Sequence, residues 1–258
     1  MGRNLFIENE LAGVYKEMAV WKEKIAQIML KMKSSYGEKI FNNPTEFITS
    51  LPPVKKKNCV ALFKELVAAS DVLLENFTPG TMADFGVDYP VLKKVNPKLI
   101  MASISGYGQT GPLSRLPGYD SVLQAEAGLM STTGDPDRPP MRAGTLIVDI
   151  TTAVMGAFGI CAALFARERT GEGEYIDIAM YDVSVNLLES KFVQYTVTGE
   201  MPTRTGNRFP MVTPFDSFKT KDAYVYIICA GAGPFQKLCD GMGMPELAKD
   251  PRFNNFFA

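Results

Sequence analysis

The chain contains no histidine among its 258 residues. That excludes Ser-His-Asp and Cys-His nucleophile activation, histidine metal centres and any imidazole acid or base. Catalysis, if present, falls to carboxylates, lysine, tyrosine, cysteine or a hydroxyl activated another way. The four cysteines, Cys59, Cys161, Cys229 and Cys239, form no CxxC pair, which argues against zinc or thioredoxin-type chemistry. No metal site is expected. Cys161 and Cys229 lie in apolar runs and read as buried small hydrophobes, pointing to a reducing compartment. There is little net charge: 27 basic against 28 acidic residues leaves −1, without the positive field that nucleic acid requires. Met1–Leu11 carries Glu8 and Glu10 and reads as no secretory signal. The expected location is therefore intracellular, cytoplasmic by default, with mitochondria and peroxisomes left open. The longest uncharged apolar stretch, Ile150–Ala166, is short and interrupted by Thr151, Thr152, Gly156 and Gly159. It reads as a buried helix rather than a membrane span.

What is present is the balance of a globular protein, 46% apolar and 21% charged. Leu11, Val14, Tyr15, Met18, Trp21, Ile25, Ile28 and Met29 recur at helical steps, so residues 9–33 read as an amphipathic helix. A turn-rich connector follows over residues 34–54. From Lys55 the texture alternates. Helices are expected at Val60–Ala69, Met82–Phe85, Tyr89–Val95, residues 150–168 and 181–198, and Phe235–Met242. Strands are expected at Asp71–Leu74, Leu99–Ile104, Thr145–Val148, Tyr175–Met180 and Ala223–Ile228. The fold class is α/β: an incomplete Rossmann-like parallel sheet flanked by helices, followed by the start of a smaller α+β domain. The expected divisions are 1–54, a helical N-terminal segment; 55–200, a large domain; and 201–258, a partial small domain.

Gly106-Tyr107-Gly108-Gln109-Thr110-Gly111 spells GxGxxG after a strand, yet Pro112 and a proline- and glycine-containing loop follow it. A dinucleotide fingerprint needs a helix to open there, so a nicotinamide or flavin site is not expected. Asp149 stands between an apolar run and a long apolar helix. It reads either as a plain helix cap or as a nucleophile at the C-terminal end of a strand, kept anionic by the helix dipole and unpaired N–H groups. Lys55-Lys56-Lys57 reads as a solvated surface or as point charges for a phosphate. Tyr119-Asp120 reads as a turn with a capping Asp, or as a paired hydroxyl and carboxylate.

Several longer strings then share one likeness: Asp71–Gly80 (DVLLENFTPG), Ser103–Pro112 (SISGYGQTGP), Pro117-Gly118-Tyr119-Asp120, Thr133–Asp137 (TGDPD) and Ala166–Gly173 (ARERTGEG). Together they resemble the class III coenzyme A transferases, the CaiB/BaiF family, from about Lys55 to about Asn254. The resemblance implies transfer of coenzyme A from an acyl-CoA thioester to a small carboxylic acid through a covalent aspartyl anhydride and an aspartyl-CoA thioester. It places the nucleophile at Asp149 and implies that Asn76, Phe77 and Thr78 meet the CoA nucleotide. Lys57 becomes a phosphate contact, and Gly118, Tyr119 and Asp120 the loop beside the thioester. It implies no permanently bound cofactor, the CoA thioester entering as substrate, and an interlocked homodimer; neither nucleic acid nor membrane is an expected partner.

The related α-methylacyl-CoA racemases pair the aspartate with a histidine, and Tyr119 stands at that place. Tyrosine, with a reference pKa of about 10, is a poor base, so isomerase chemistry is the weaker alternative. The amino-terminal segment departs from the family pattern. The chain also stops at Ala258, short of the family's returning segment, and reads as truncated. The family's glycine-rich covering loop has only a poor counterpart in Gly231-Ala232-Gly233. A non-catalytic CoA-binding remnant is the remaining alternative.

Overall fold

A computed structural model describes residues 53–253, with side chains from Cys59 onward. The expected helix at 9–33 and most of the connector that follows it lie outside the described residues. Two compact units divide at Ala68/Ala69. The described part of the first is helix α1 (Pro53–Ala68), which starts earlier than the expected Val60. The site below belongs wholly to the second unit.

That unit is built on a parallel sheet of order β1-β2-β3: Val72–Glu75, Ile100–Ser105 and Tyr175–Ala179. Strand β2 lies in the middle. Its register runs Val72↔Ile100 to Glu75↔Ser103 on one side and Met101↔Tyr175 to Ser105↔Ala179 on the other. A strand covered on both faces needs a continuous apolar run rather than alternation, and IMASIS supplies one, with Ile100, Met101 and Ala102 almost wholly excluded from solvent. Helices α2 (Thr81–Asp84) and α3 (Tyr89–Val95) connect β1 to β2. From β2 the chain passes through α4 (Asp120–Glu126) and α5 (Leu129–Thr132) into the long helix α6 (Ile147–Thr170), then into β3. Helix α7 (Met180–Asn186), helix α8 (Ser190–Thr198), the antiparallel pair β4 (Phe215–Lys219) and β5 (Tyr224–Ile228), and helix α9 (Ala232–Gly241) complete the main elements. The α/β class and the parallel sheet flanked by helices are as expected, with three strands in place of the four expected there, and the small antiparallel pair β4–β5 follows them.

Helix α6 settles onto the sheet through its small residues. A Cβ on Gly156 would sit 3.4 Å from both Ile104 Cδ1 and Ile178 Cδ1, and one on Gly159 3.5 Å from Ile176 Cγ2. The helix closes with Gly171 in the left-handed region, φ 72°, its N–H donating to Arg167 O at 2.8 Å. Near that end the Arg167 guanidinium donates to Lys98 O at 2.9 Å and pairs with Asp71 at 2.8 Å. This pins α6 to the N-terminal edge of the sheet. The helix therefore runs opposite to the strands and delivers its own N-terminus to the C-terminal edge.

Four expectations are corrected. Thr145–Val148 is not a strand, because Ile147 already opens α6. The buried residues Val148, Thr152, Gly156 and Ala163 follow a helical stripe, so the short apolar run serves the inward face of a helix rather than a sheet. The single helix expected at 181–198 is two, α7 and α8, divided near Glu189, which takes φ 39°. Cys161 is exposed, on the side of α6 turned away from the sheet, whereas Cys229 and Cys239 are buried. Lastly, α6 is not buried all round. Val154, Phe158 and Phe165 are more than 60% exposed, and only the sheet-facing stripe is covered. By length and composition alone α6 could cross a membrane, but its glycines pack it on β2 and β3.

Candidate functional site

The C-terminal edge of a parallel sheet is where loops gather and α/β folds open their clefts. Here the ends of β1 and β2, the loops after them and the first turns of α6 enclose a cleft of about 770 Å³. Glu75, Asn76, Phe77 and Thr78 come from the β1 end, Ser105 and Gly106 from the β2 end. Gly118, Tyr119 and Asp120 enter from the loop before α4, and Asp149 and Thr152 from α6. Seven of the residues singled out from sequence thus line one cleft: Asn76, Phe77, Thr78, Gly118, Tyr119, Asp120 and Asp149. The Lys57 side chain lies outside the described residues.

The loop carrying Tyr119 and Asp120 is brought to the sheet by a glycine-on-glycine crossing. The Gly106 and Gly118 backbones touch so closely that a Cβ on Gly106 would lie 2.6 Å from Gly118 Cα and 2.7 Å from Gly118 N. This is the work of the first glycine of the GxGxxG string. No helix opens after Gly111: residues 112–119 are turn and loop, as Pro112 foretold.

Asp120 is almost fully buried, with 4% exposure, and its carboxylate is met by three donors. Oδ2 accepts the N–H of Val148 at 2.8 Å and of Asp149 at 3.1 Å, and Oδ1 accepts Gln124 Nε2 at 2.6 Å. The capping chemistry expected of Asp120 is present, but directed at a different helix. It satisfies the otherwise orphaned first N–H groups of α6. Gln124, itself wholly buried, uses its Oε1 to accept the Ala143 N–H at 2.8 Å and so ties down the segment leading into α6.

Asp149 is consequently not a cap and does not end a strand. It sits in the first turn of α6 with its backbone N–H given to Asp120 and its side chain exposed to the cleft. Partial burial and then the neighbouring Asp120 charge raise its pKa above the ordinary carboxylate value. This corrects the expectation of a carboxylate held anionic by the helix end: the free N–H groups there are engaged by Asp120. An aspartate whose charged form is this poorly compensated is more basic than usual, hence a better oxygen nucleophile once ionised.

Four further residues were not singled out from sequence. Glu75, 8% exposed at the end of β1, accepts the Phe77 N–H on Oε2 at 2.7 Å and so shapes the Asn76-Phe77 turn. Ser105, 6% exposed, has a buried hydroxyl without a hydrogen-bond partner among the described residues and lines the cleft. Arg115 packs its guanidinium over Gly80, near the cleft rim, 3.3 Å from where a Cβ would be. Gln124 lies behind Asp120. Only Glu75 and Ser105 carried a readable signal, as polar residues closing apolar strands. Among the described residues no cluster of three Cys, Asp or Glu could hold a metal ion.

Comparison with known proteins gives this cleft a context. The acetyl-CoA:oxalate CoA-transferase of Acetobacter aceti is 48% identical over 194 residues, 75% of this chain and 50% of that protein. The succinate–glutarate CoA-transferase of Agrobacterium fabrum is 40% identical over 75% of this chain and 48% of its own length. An acyl-CoA transferase of Fusarium pseudograminearum, 36% identical, aligns over 92% of this chain and so reaches into its first 53 residues. The chain spans about half the length of these curated relatives. Among solved structures, a CaiB/BaiF family protein from Brucella suis superposes with a TM-score of 0.68 at 40% identity, over 76% of this chain and 52% of that one. The sequence model of CoA-transferase family III matches residues 54–258, and the chain belongs to that family.

Proposed function

We propose that this chain transfers coenzyme A from an acyl-CoA thioester to a small carboxylic acid, with Asp149 as the nucleophile. The observation that carries this reading is the exposed Asp149 carboxylate facing a cleft it shares with Asn76, Phe77, Thr78, Gly118 and Tyr119. An Asp149 oxygen attacks the thioester carbonyl; the C–S bond breaks, CoA leaves as thiolate, and an acyl–aspartyl anhydride forms. The thiolate attacks Cγ of Asp149, releasing the donor acid and leaving an aspartyl-CoA thioester. The acceptor carboxylate attacks that Cγ and displaces the thiolate. The thiolate then takes the new acyl group and frees Asp149. One thioester replaces another, so no external energy source is needed, and no step calls for imidazole. Splitting the exchange into covalent steps is the gain.

Asn76, Phe77 and Thr78 are assigned to the nucleotide portion of CoA, and Gly118-Tyr119-Asp120 to the thioester end. Residues 55–200 are assigned this chemistry, and 201–258 a smaller α+β part. A second copy of the chain is the proposed cover for the outward face of α6, where Val154, Phe158 and Phe165 are exposed. Light scattering on the purified chain reads this directly, as one chain mass or two.

The test of function is intact-protein mass spectrometry after mixing with acetyl- or succinyl-CoA. A hydroxylamine-sensitive adduct on Asp149, absent in Asp149→Ala, supports the transferase. CoA binding without adduct supports a non-catalytic remnant. Deuterium exchange beside the thioester, with no adduct, supports isomerase chemistry and would require Tyr119 to act as a base.

A further inference from the structure

Behind Asp149 stand two buried polar side chains, Asp120 at the cleft wall and Gln124 behind it, and their hydrogen bonds form one continuous chain. Ala143 N–H donates to Gln124 Oε1, Gln124 Nε2 donates to Asp120 Oδ1, and Asp120 Oδ2 receives the N–H groups of Val148 and Asp149. Gln124 is 0% exposed and Asp120 4%. Burying an amide and a carboxylate is costly unless each has partners, and here the two bonds on Gln124 and the one from the Val148 amide are all 2.8 Å or shorter.

We infer that Gln124 is a positioning residue for the nucleophile: by joining Ala143 to Asp120 it fixes the carboxylate that seats the first turn of α6, and so fixes where Asp149 enters the cleft. This rests on Asp149 being the nucleophile. Gln124 suits the place because it presents an acceptor to one neighbour and a donor to the other. Glutamate would bring two acceptors and methionine neither. Neither Gln124 nor Asp120 need touch substrate for this. The remaining titratable groups lining the cleft are Glu75 and Tyr119, on the β1 end and the α4 loop; α7 contributes only Met180.

The inference separates from a merely structural role by a charge swap. Asp120→Asn turns a donor toward Gln124 Nε2, and Gln124→Glu turns an acceptor toward Asp120 Oδ1; each single change breaks the chain. The double variant Asp120→Asn/Gln124→Glu restores it with one bond reversed. The new amide at position 120 donates to the new carboxylate at position 124, while the amide oxygen still receives the N–H groups of α6. The second oxygen of that carboxylate still receives Ala143 N–H. The negative charge, meanwhile, has moved one side chain further from Asp149. Each single variant and Gln124→Met should lose roughly tenfold or more in the rate of Asp149 adduct formation, the worth of one charge-assisted bond. The double variant should recover most of that rate, with the acid limb of its pH profile moved to lower pH. A second readout needs no turnover: the 13C carboxyl titration of Asp149, recognised as the resonance missing from Asp149→Asn, should fall in midpoint in the double variant. Wild-type protein that titrates but forms no adduct would overturn the proposed function and leave this coupling to be read from the titration. Wild-type adduct rates in Gln124→Met and in the single variants, a double variant as slow as the single ones, or an unmoved Asp149 midpoint in the double variant would each overturn the inference.

Discussion

Replacing Gly118 with alanine should damage the site through geometry alone. The Gly106–Gly118 crossing leaves no room for a methyl group on either side. An alanine Cβ at 106 would sit 2.6 Å from Gly118 Cα, and one at 118 would meet Gly106 Cα closer still and Gly106 N at 3.3 Å. Comfortable carbon–carbon separations are about 3.5–4.0 Å, so the two stretches of backbone must part by about 1 Å. Neither is the movable tip of a side chain: Gly106 follows β2 and Gly118 leads into Asp120, whose carboxylate is committed to α6. Forced overpacking of this kind costs about 3 kcal/mol, the upper part of the usual range. With a urea m-value of about 2 kcal/mol/M, the unfolding midpoint falls by ~1.5 M. If this loop positions the reacting groups as proposed, a displacement of about 1 Å costs ~100-fold in rate, so the adduct on Asp149 should form ~100-fold more slowly even under conditions where the variant is folded. Gly144→Ala is the control. Beyond its chain neighbours, no atom of the described residues lies within 4 Å of its would-be Cβ, so it should leave both readouts unchanged. Gly118→Ala with a wild-type urea midpoint and adduct rate would refute the view that this crossing builds the cleft.

Asp149→Asn should abolish the adduct yet raise thermal stability at neutral pH. The folded-state pKa of Asp149 is raised above 3.8, so its ionised form opposes folding; that penalty is absent below the unfolded pKa and complete above the folded one. The stability gain in the melting temperature should therefore vanish as the pH falls below about 4. By the same shift, the wild-type adduct rate should decline with acidification at a pH above the ordinary carboxylate range; a profile flat down to about pH 4 would contradict it. Ser105→Ala removes a buried hydroxyl that has no hydrogen-bond partner among the described residues, so the melting temperature should hold while KM for acyl-CoA rises about threefold to tenfold; an unchanged KM would remove Ser105 from substrate contact. Arg167→Met should lower stability by about 1–2 kcal/mol through loss of its bonds to Lys98 O and Asp71, without altering KM, because it acts at the opposite edge of the sheet from the cleft.

The elements whose signals are local were legible in the sequence. Strand β2 announced itself as a buried run, α3 by its Pro and its Asn96-Pro97 ending, and the α6 terminus by Gly171. The elements set by distant partners were not. Leu146-Ile147-Val148 looks like the end of a strand when read alone. It becomes the first turn of a helix because Asp120, 28 and 29 residues earlier in the chain, supplies the acceptor that the amides of Val148 and Asp149 need. No spacing rule records a cap delivered from that distance. Gln124 was invisible for the same reason: in sequence it is one more polar residue on a short helix, and its place between Ala143 and Asp120 exists only after folding. The Asp149 carboxylate was singled out for its position at the head of an apolar helix, but the expected physical cause was the wrong one. The helix end does not hold it anionic, because a second carboxylate has taken the amides and adds its own charge nearby. That exchange suits the proposed role of Asp149 at a cost in stability. A cap made by Asp149 itself would quench the side chain in hydrogen bonds, whereas a cap made by Asp120 leaves Asp149 facing the cleft with its lone pairs unspent.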